Sequence, residues 1–172
     1  MTRTARIAAI GAGLLVVWLA VGCGGKPAGA PSAPRSFGTP RPAPDFSVTA
    51  LDGTEYRFAD LKGTPIVLNF WTSSCPACAQ FAPYLQAFYE KTNPGDIVFL
   101  AISPRDSEEA LKRKAKSLGV TYPIAIDEAA TRAYQVRAIP MTFFIDREGA
   151  IAASILGARD RDTIEAALER IR

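Results

Sequence analysis

Two cysteines three positions apart, Cys75 and Cys78, are the residues of this chain best suited to do chemistry. They follow a continuous apolar stretch, Ile66–Phe70, which is typical of a buried strand, and a helical pattern begins after Cys75. Thiols at this spacing can form and open a disulfide with little backbone movement. A helix N-terminus also favours the thiolate of the first cysteine, which is the form that attacks disulfides. The pattern therefore indicates dithiol–disulfide exchange.

Alternating strand and helix patterns surround the cysteine pair. Residues 46–58 contain two alternating apolar and polar segments around Asp52-Gly53, which is typical of a β-hairpin. Further strand patterns lie at 96–102, 122–126, 141–146 and 150–156, and helical patterns lie after Cys75 and at 107–118, 128–135 and near the C-terminus. Such alternation predicts an α/β fold with a central mixed β-sheet that helices cover on both faces.

Several local features of the helices are also predicted. Gly119 should end the helix over 107–118, and Asp162 with Glu165 should form a capping box in the last helix. Pro83 should kink the helix that follows Cys75. The face of that helix expected to pack on the sheet carries Phe81, Tyr84, Leu85, Phe88 and Tyr89.

Residues 1–22 have the features of a lipoprotein-type signal peptide. Arg3 and Arg6 precede an uncharged apolar run over 7–20, and small residues stand just before Cys23. This arrangement resembles a bacterial lipobox, which implies cleavage before Cys23 and acylation at that residue. Two or more acyl chains hold a protein stably on a membrane. An ordinary cleaved secretory peptide and an uncleaved membrane span are the alternatives, and all three export the domain.

The remaining chain divides into a linker and one domain. Residues 23–43 form the predicted lipid anchor and a linker rich in Pro, Gly and Ala, and residues 44–172 form the globular domain. The net charge of +3 belongs to the N-terminal part, because residues 44–172 hold 15 basic and 17 acidic residues. A near-neutral domain argues against a nucleic-acid partner. With Cys23 assigned to the anchor, Cys75 and Cys78 are left to pair with each other.

The chain resembles the thioredoxin superfamily, and within it the exported, membrane-tethered thiol-disulfide oxidoreductases of the TlpA and ResA type. The resemblance rests on Cys75-Pro76-Ala77-Cys78 at a strand-to-helix turn and on Ile139-Pro140 before a late strand. It covers essentially residues 44–172. The further matching landmarks are Ala43-Pro44-Asp45-Phe46, Asp52-Gly53, Asp60-Leu61-Lys62-Gly63, Val67-Leu68-Asn69-Phe70-Trp71 and Phe143-Phe144-Ile145-Asp146-Arg147-Glu148-Gly149.

The resemblance implies a thioredoxin-like fold and roles for individual residues. Cys75 would attack, Cys78 would resolve the mixed disulfide, and a cis-proline at Pro140 would face them. A βα insertion would correspond to residues 97–120. The residues assigned to the substrate groove are Trp71, Pro76, Ile139 and Pro140.

Partners are also implied by the resemblance. A membrane thiol-transporting protein would supply electrons, and exported proteins with cysteines, including apocytochrome c, would be clients of a monomeric reductase. No cofactor or metal is expected.

Some positions depart from the family pattern. Asn69 stands where thioredoxins commonly have a buried aspartate, Phe81 where many relatives have a glutamate, Ser74 replaces the usual Trp or Pro, and Met141 replaces Thr. No acidic residue lies between Asp60 and Glu90, and the chain has no histidine. With no carboxylate nearby, Cys75 is expected to ionise readily.

Other interpretations of the cysteine pair remain. A zinc site normally needs four ligands, and haem attachment needs a histidine after the second cysteine, where this chain has Ala79. An inert structural disulfide, a disulfide-forming oxidant and a non-catalytic peptide-binding module stay open. A thiol peroxidase is a weaker alternative, because Thr72 has the expected spacing to Cys75 but Leu68 stands where a proline is expected.

Overall fold

The computed structural model describes residues 39–172. Its strands are β1 (Arg41–Pro42), β2 (Ser47–Thr49), β3 (Glu55–Arg57), β4 (Ile66–Phe70), β5 (Val98–Ser103), β6 (Ile124–Ile126), β7 (Met141–Ile145) and β8 (Ala150–Leu156). Its α-helices are α1 (Pro76–Tyr89), α2 (Glu108–Leu118), α3 (Glu128–Ala133) and α4 (Arg161–Leu168). A short 3-10 helix, Phe58–Leu61, precedes β4.

Six strands form a mixed sheet in the order β1-β8-β7-β4-β5-β6. β4, β5 and β6 run parallel, whereas β7, β8 and β1 pair antiparallel to their neighbours. The register places Phe70 between Ile102 of β5 and Met141 of β7. The loops after β4 and β5 and the loop before β7 therefore meet at one end of the sheet.

Hydrophobic residues fill both faces of this sheet. On one face, alternate strand residues such as Val67 and Phe144 pack with buried residues of α1, α2 and α4. On the other, Leu68 and Phe143 pack with the β2–β3 hairpin and α3, where Tyr134 contributes a buried ring. The α/β prediction of a mixed sheet flanked by helices is confirmed.

The predicted elements are largely present. The hairpin forms around Asp52-Gly53, and Gly53 adopts φ 89° in its turn. Gly119 ends α2 in the left-handed conformation at φ 68°, as predicted. The range expected for the βα insertion, 97–120, forms β5 and α2. α1 continues through Pro83, and the predicted kink stays a prediction.

Three details of the sequence interpretation are corrected. Asp160, and not Asp162, caps α4 by accepting from the Thr163 N–H at 2.9 Å, because the helix begins at Arg161 and places Thr163 at its third position. The predicted capping box with Glu165 is therefore wrong. Tyr84 is 46% exposed and does not pack on the sheet, because it lies at the edge of the apolar face of α1.

The linker boundary is the third correction. Arg41 pairs with Ile151 and Pro42 with Ala150, so the folded domain already includes residues assigned to the linker over 23–43. The Ala43 N–H also donates to the Gly149 carbonyl at 3.0 Å. The predicted signal peptide, lipidation at Cys23 and the linker up to residue 38 lie outside the described residues. Within 39–172 no helix is long and apolar enough to cross a membrane.

Candidate active site

Cys75 caps the N-terminus of α1, and a disulfide joins it to Cys78. Its sulfur accepts from the Cys78 N–H at 3.1 Å, and Pro76 occupies the first helical position, where no N–H donor is required. Cys75 is partly exposed, whereas Cys78 is 2% exposed. The first sulfur is therefore open to a substrate, and the second is shielded beneath it.

The end of β4 fixes where the cysteine turn begins. The Trp71 N–H donates to the Ile102 carbonyl at 3.1 Å, which extends the β4–β5 ladder by one residue. The Cys75 N–H then donates to the Thr72 carbonyl at 3.3 Å. The buried strand β4 thus fixes the position of the turn, and the turn places Cys75 at the start of α1.

Pro140 lies at the same end of the sheet as the cysteines. The Ile139–Pro140 peptide bond is cis, and Pro140 directly precedes Met141, which pairs with Phe70. The Pro140 carbonyl accepts from the Gly157 N–H at 2.8 Å, so the end of β8 also holds this loop.

The four residues expected to line a substrate groove differ in accessibility. Pro76 is exposed and Ile139 is half-buried, whereas Pro140 and Trp71 are buried. Trp71 is 1% exposed, and its indole packs in the same core cluster as Cys78. Trp71 therefore supports the cysteine turn from below and offers almost no surface to a substrate in this conformation.

Asp106 is a site residue that the sequence interpretation missed. It lies in the loop between β5 and α2, and its carboxylate accepts from the Ser73 N–H at 2.9 Å and the Ser73 hydroxyl at 2.7 Å. The Ser103 hydroxyl donates to the same carboxylate at 2.8 Å. One acidic side chain thus joins the cysteine turn to the loop after β5.

This contact corrects the expectation that no carboxylate lies near Cys75. Asp106 is distant in sequence, and only the parallel pairing of β4 and β5 brings it to Ser73, two residues before the cysteine. The sequence signal that could have located Asp106 is an acidic residue just after the strand that pairs with β4. The partial burial of Asp106 raises its pKa, but the hydrogen bonds from Ser73 and Ser103 outweigh that effect, and the net pKa is lowered.

Removing the Asp106 carboxylate should loosen the cysteine turn. We expect Asp106→Ala to lower the free energy of unfolding by about 1–3 kcal/mol, because two serine hydroxyls and one N–H lose their acceptor. Displacement of Cys75 should slow disulfide reduction by up to about 100-fold. Urea unfolding and an insulin reduction assay measure the two effects. Glu148→Ala, at an exposed turn, is the control and should change stability by less than about 0.5 kcal/mol.

The same carboxylate predicts a pH dependence. Because its pKa is lowered in the folded state, its contribution to stability is present above the unfolded value, near pH 4, and is lost as pH falls through the folded value. The stability difference between the parent and Asp106→Asn should therefore be constant from pH 7 to 5 and shrink below pH 4. A difference that grew on acidification would contradict this assignment.

Asn69 forms a buried hydrogen bond within the sheet. Its amide donates to the Thr142 hydroxyl at 2.9 Å across the β4–β7 pair, and both residues are buried. A neutral hydrogen-bonded pair therefore occupies the position where thioredoxins commonly have a buried aspartate.

Metal binding finds no support in the described part of the chain. Within residues 39–172 no three His, Cys, Asp or Glu side chains are grouped so that they could hold a metal ion. The site therefore consists of a cysteine pair, a proline loop and a serine–aspartate cluster.

Comparison with protein families gives a match over residues 40–154, to the AhpC/TSA family. The chain belongs to the AhpC/TSA family. A thiol-disulfide oxidoreductase ResA of Geobacillus kaustophilus is 34% identical over 132 residues, which cover 76% of each chain. The fold, this relative and the cysteine pair together show that this member of the family is a thiol-disulfide oxidoreductase.

Solved structures of similar proteins agree with this assignment. A thiol:disulfide interchange protein of the thioredoxin family from Chlorobium tepidum superposes with a TM-score of 0.69 at 26% identity, covering 78% of this chain and 97% of that one. A secreted disulfide oxidoreductase of Mycobacterium tuberculosis gives a TM-score of 0.64 at 25% identity, covering 72% and 94%. The predicted thioredoxin-like fold is confirmed.

Proposed function

We propose that this protein is exported, is held on the membrane through a lipid on Cys23, and reduces disulfides in other exported proteins. The observation that carries the reaction is the partly exposed Cys75 at the start of α1, joined to a buried Cys78. The leader sequence supports export and anchoring, and the secreted Mycobacterium tuberculosis relative is consistent with export.

The reaction follows from the two cysteine environments. In the reduced protein the Cys75 thiolate attacks one sulfur of a client disulfide and forms a mixed disulfide. The other client sulfur leaves as a thiolate, which then takes up a proton. Cys78, once deprotonated, then attacks the Cys75 sulfur and releases the second client thiol. The client gains two electrons, and the protein is left with the Cys75–Cys78 disulfide.

A reductase of this kind needs a source of electrons. We propose that a membrane thiol-transporting protein reduces the Cys75–Cys78 disulfide after each turnover. Apocytochrome c is a proposed client, as the ResA-like resemblance implies. A lipid anchor joined to the domain through the linker would keep the domain near both a membrane donor and clients at the membrane.

The direction of electron flow is tested by the reduction potential of the Cys75–Cys78 pair. We expect a value near −270 mV, the range of reducing thioredoxins, together with catalysis of insulin reduction. A value near −120 mV would instead assign the protein as a disulfide-forming oxidant. A non-catalytic binding module would show no turnover and no effect of Cys75→Ser.

Lipid anchoring has a separate test. Radioactive palmitate should label the parent protein in cells and should fail to label Cys23→Ser. Equal labelling of the two proteins would reject the anchor while leaving the redox function untouched.

A further inference from the structure

Two arginines without acidic partners lie at the end of the sheet that carries the cysteines. Arg105 follows β5, Arg137 lies three residues before Pro140, and both line one cavity of about 460 Å³. The cavity wall also contains Glu128, but Arg132 pairs with it at 3.0 Å. Within residues 39–172 neither Arg105 nor Arg137 forms an ion pair. Neither guanidinium group therefore has a carboxylate at ion-pair distance.

A second cavity continues this surface. It has a volume of about 270 Å³, shares Gln135, Val136 and Arg137 with the first, and is also lined by Arg41. Its apolar lining includes Leu156, which is 53% exposed. We call the two cavities together the arginine groove.

The lining of the two cavities has four arginines and one glutamate, and the other nearby carboxylates, which keep their charge, do not line it. The Asp106 carboxylate accepts hydrogen bonds from Ser73 and Ser103, and the Asp127 carboxylate accepts from the Ala130 N–H at the start of α3. The domain as a whole has slightly more acidic than basic residues, so a local excess of arginine is not a consequence of composition. The arginine groove is thus a positive site on a near-neutral domain.

The groove lies at the same end of the sheet as the reacting sulfur. Arg137 and Pro140 are three residues apart, which limits their Cα separation to about 10 Å. Arg105 is next to Asp106, which binds Ser73, two residues before Cys75. Both arginines therefore lie in loops at the end of the sheet where a client disulfide approaches Cys75.

We propose that the arginine groove binds acidic segments that flank the disulfide of a client protein. This inference rests on the proposed function and specifies its substrate class. A guanidinium group binds a carboxylate through two parallel hydrogen bonds, and the apolar lining accommodates the aliphatic part of a glutamate. Because the arginines are exposed at a rim, the groove selects among clients and is not required for the chemistry.

The test compares two disulfide-cyclised peptides that differ only in flanking glutamates or glutamines. With the full-length chain, we expect kcat/KM to be about fivefold higher for the glutamate peptide at low salt, and the preference to fall at 0.5 M salt. Arg105→Gln combined with Arg137→Gln should abolish the preference. Lys116→Glu is the charge-matched control, because Lys116 is exposed on α2 and lines a different cavity. It should leave the preference unchanged.

Each outcome separates the groove from the proposed function. Turnover of the glutamine peptide reports the redox function, and the ratio between peptides reports the groove. Fluorescence polarisation with a cysteine-free glutamate peptide measures docking even without turnover, and arginine-dependent binding is expected. Equal rates for both peptides, or a preference that survives the double substitution, would overturn the proposal. Arginine-dependent binding to phosphatidylserine vesicles with none to the peptide would overturn it in favour of a lipid surface.

Discussion

Cys78→Ala should leave the protein covalently joined to its substrate through Cys75. Cys78 is the disulfide partner of Cys75, and with its sulfur removed the pair has no second thiol to displace the captured client. Turnover should therefore fall to the uncatalysed rate while a mixed disulfide accumulates. Non-reducing electrophoresis and mass spectrometry after incubation with oxidised insulin detect the adduct, and dithiothreitol should release it.

Cys75→Ser is the matched control for this trapping experiment. It retains Cys78, which is 2% exposed, so we expect neither turnover nor adduct. An adduct in Cys75→Ser and none in Cys78→Ala would reverse the two roles. The absence of an adduct from both variants would refute the exchange mechanism.

Phe143→Ala should cause a large loss of stability. Phe143 is 2% exposed, and its ring lies against Phe70 at a centroid distance of 5.9 Å and against Tyr134 at 5.1 Å. Its removal leaves a cavity between the sheet and α3, for which we expect a cost of about 3–5 kcal/mol. Because a domain of this size is stabilised by about 5–15 kcal/mol, the variant should unfold at a much lower urea concentration than the parent.

Tyr84→Ala provides the comparison for the core truncation. It removes an aromatic ring that is 46% exposed on α1, and the expected change is within about 0.5 kcal/mol. A loss for Tyr84→Ala equal to that for Phe143→Ala would show that burial in this structure does not govern stability.

Local signals were sufficient to predict most of the fold. Ile66–Phe70 is apolar at nearly every position because β4 is buried on both faces, and this pattern needs no tertiary information. Asp52-Gly53 and Gly119 likewise mark turns through backbone conformations that glycine adopts at little cost. In each of these cases the decisive interaction lies within a few residues along the chain.

The parts that were missed depend on distant partners. β1 has only two residues, including Pro42, and it exists because the edge of β8 is available to pair with it. Asp106 lies 33 residues from Ser73, and only the register of two parallel strands joins them. The cysteine spacing indicated the reacting groups, whereas the position of Pro140 beside them came from the family resemblance and the sheet order.

The edge strands of the six-stranded sheet, β1 and β6, affect how readily this protein can associate with itself. β6 has three residues and β1 has two, one of which is a proline that lacks an N–H. Just past the segment that β1 covers, the Ala152 carbonyl accepts from Arg170 Nε at 2.9 Å. Where β1, β6 and Arg170 cover the sheet, few vacant groups face a strand from another copy. Addition of a strand from another copy is accordingly disfavoured at these covered positions, even where copies are crowded together.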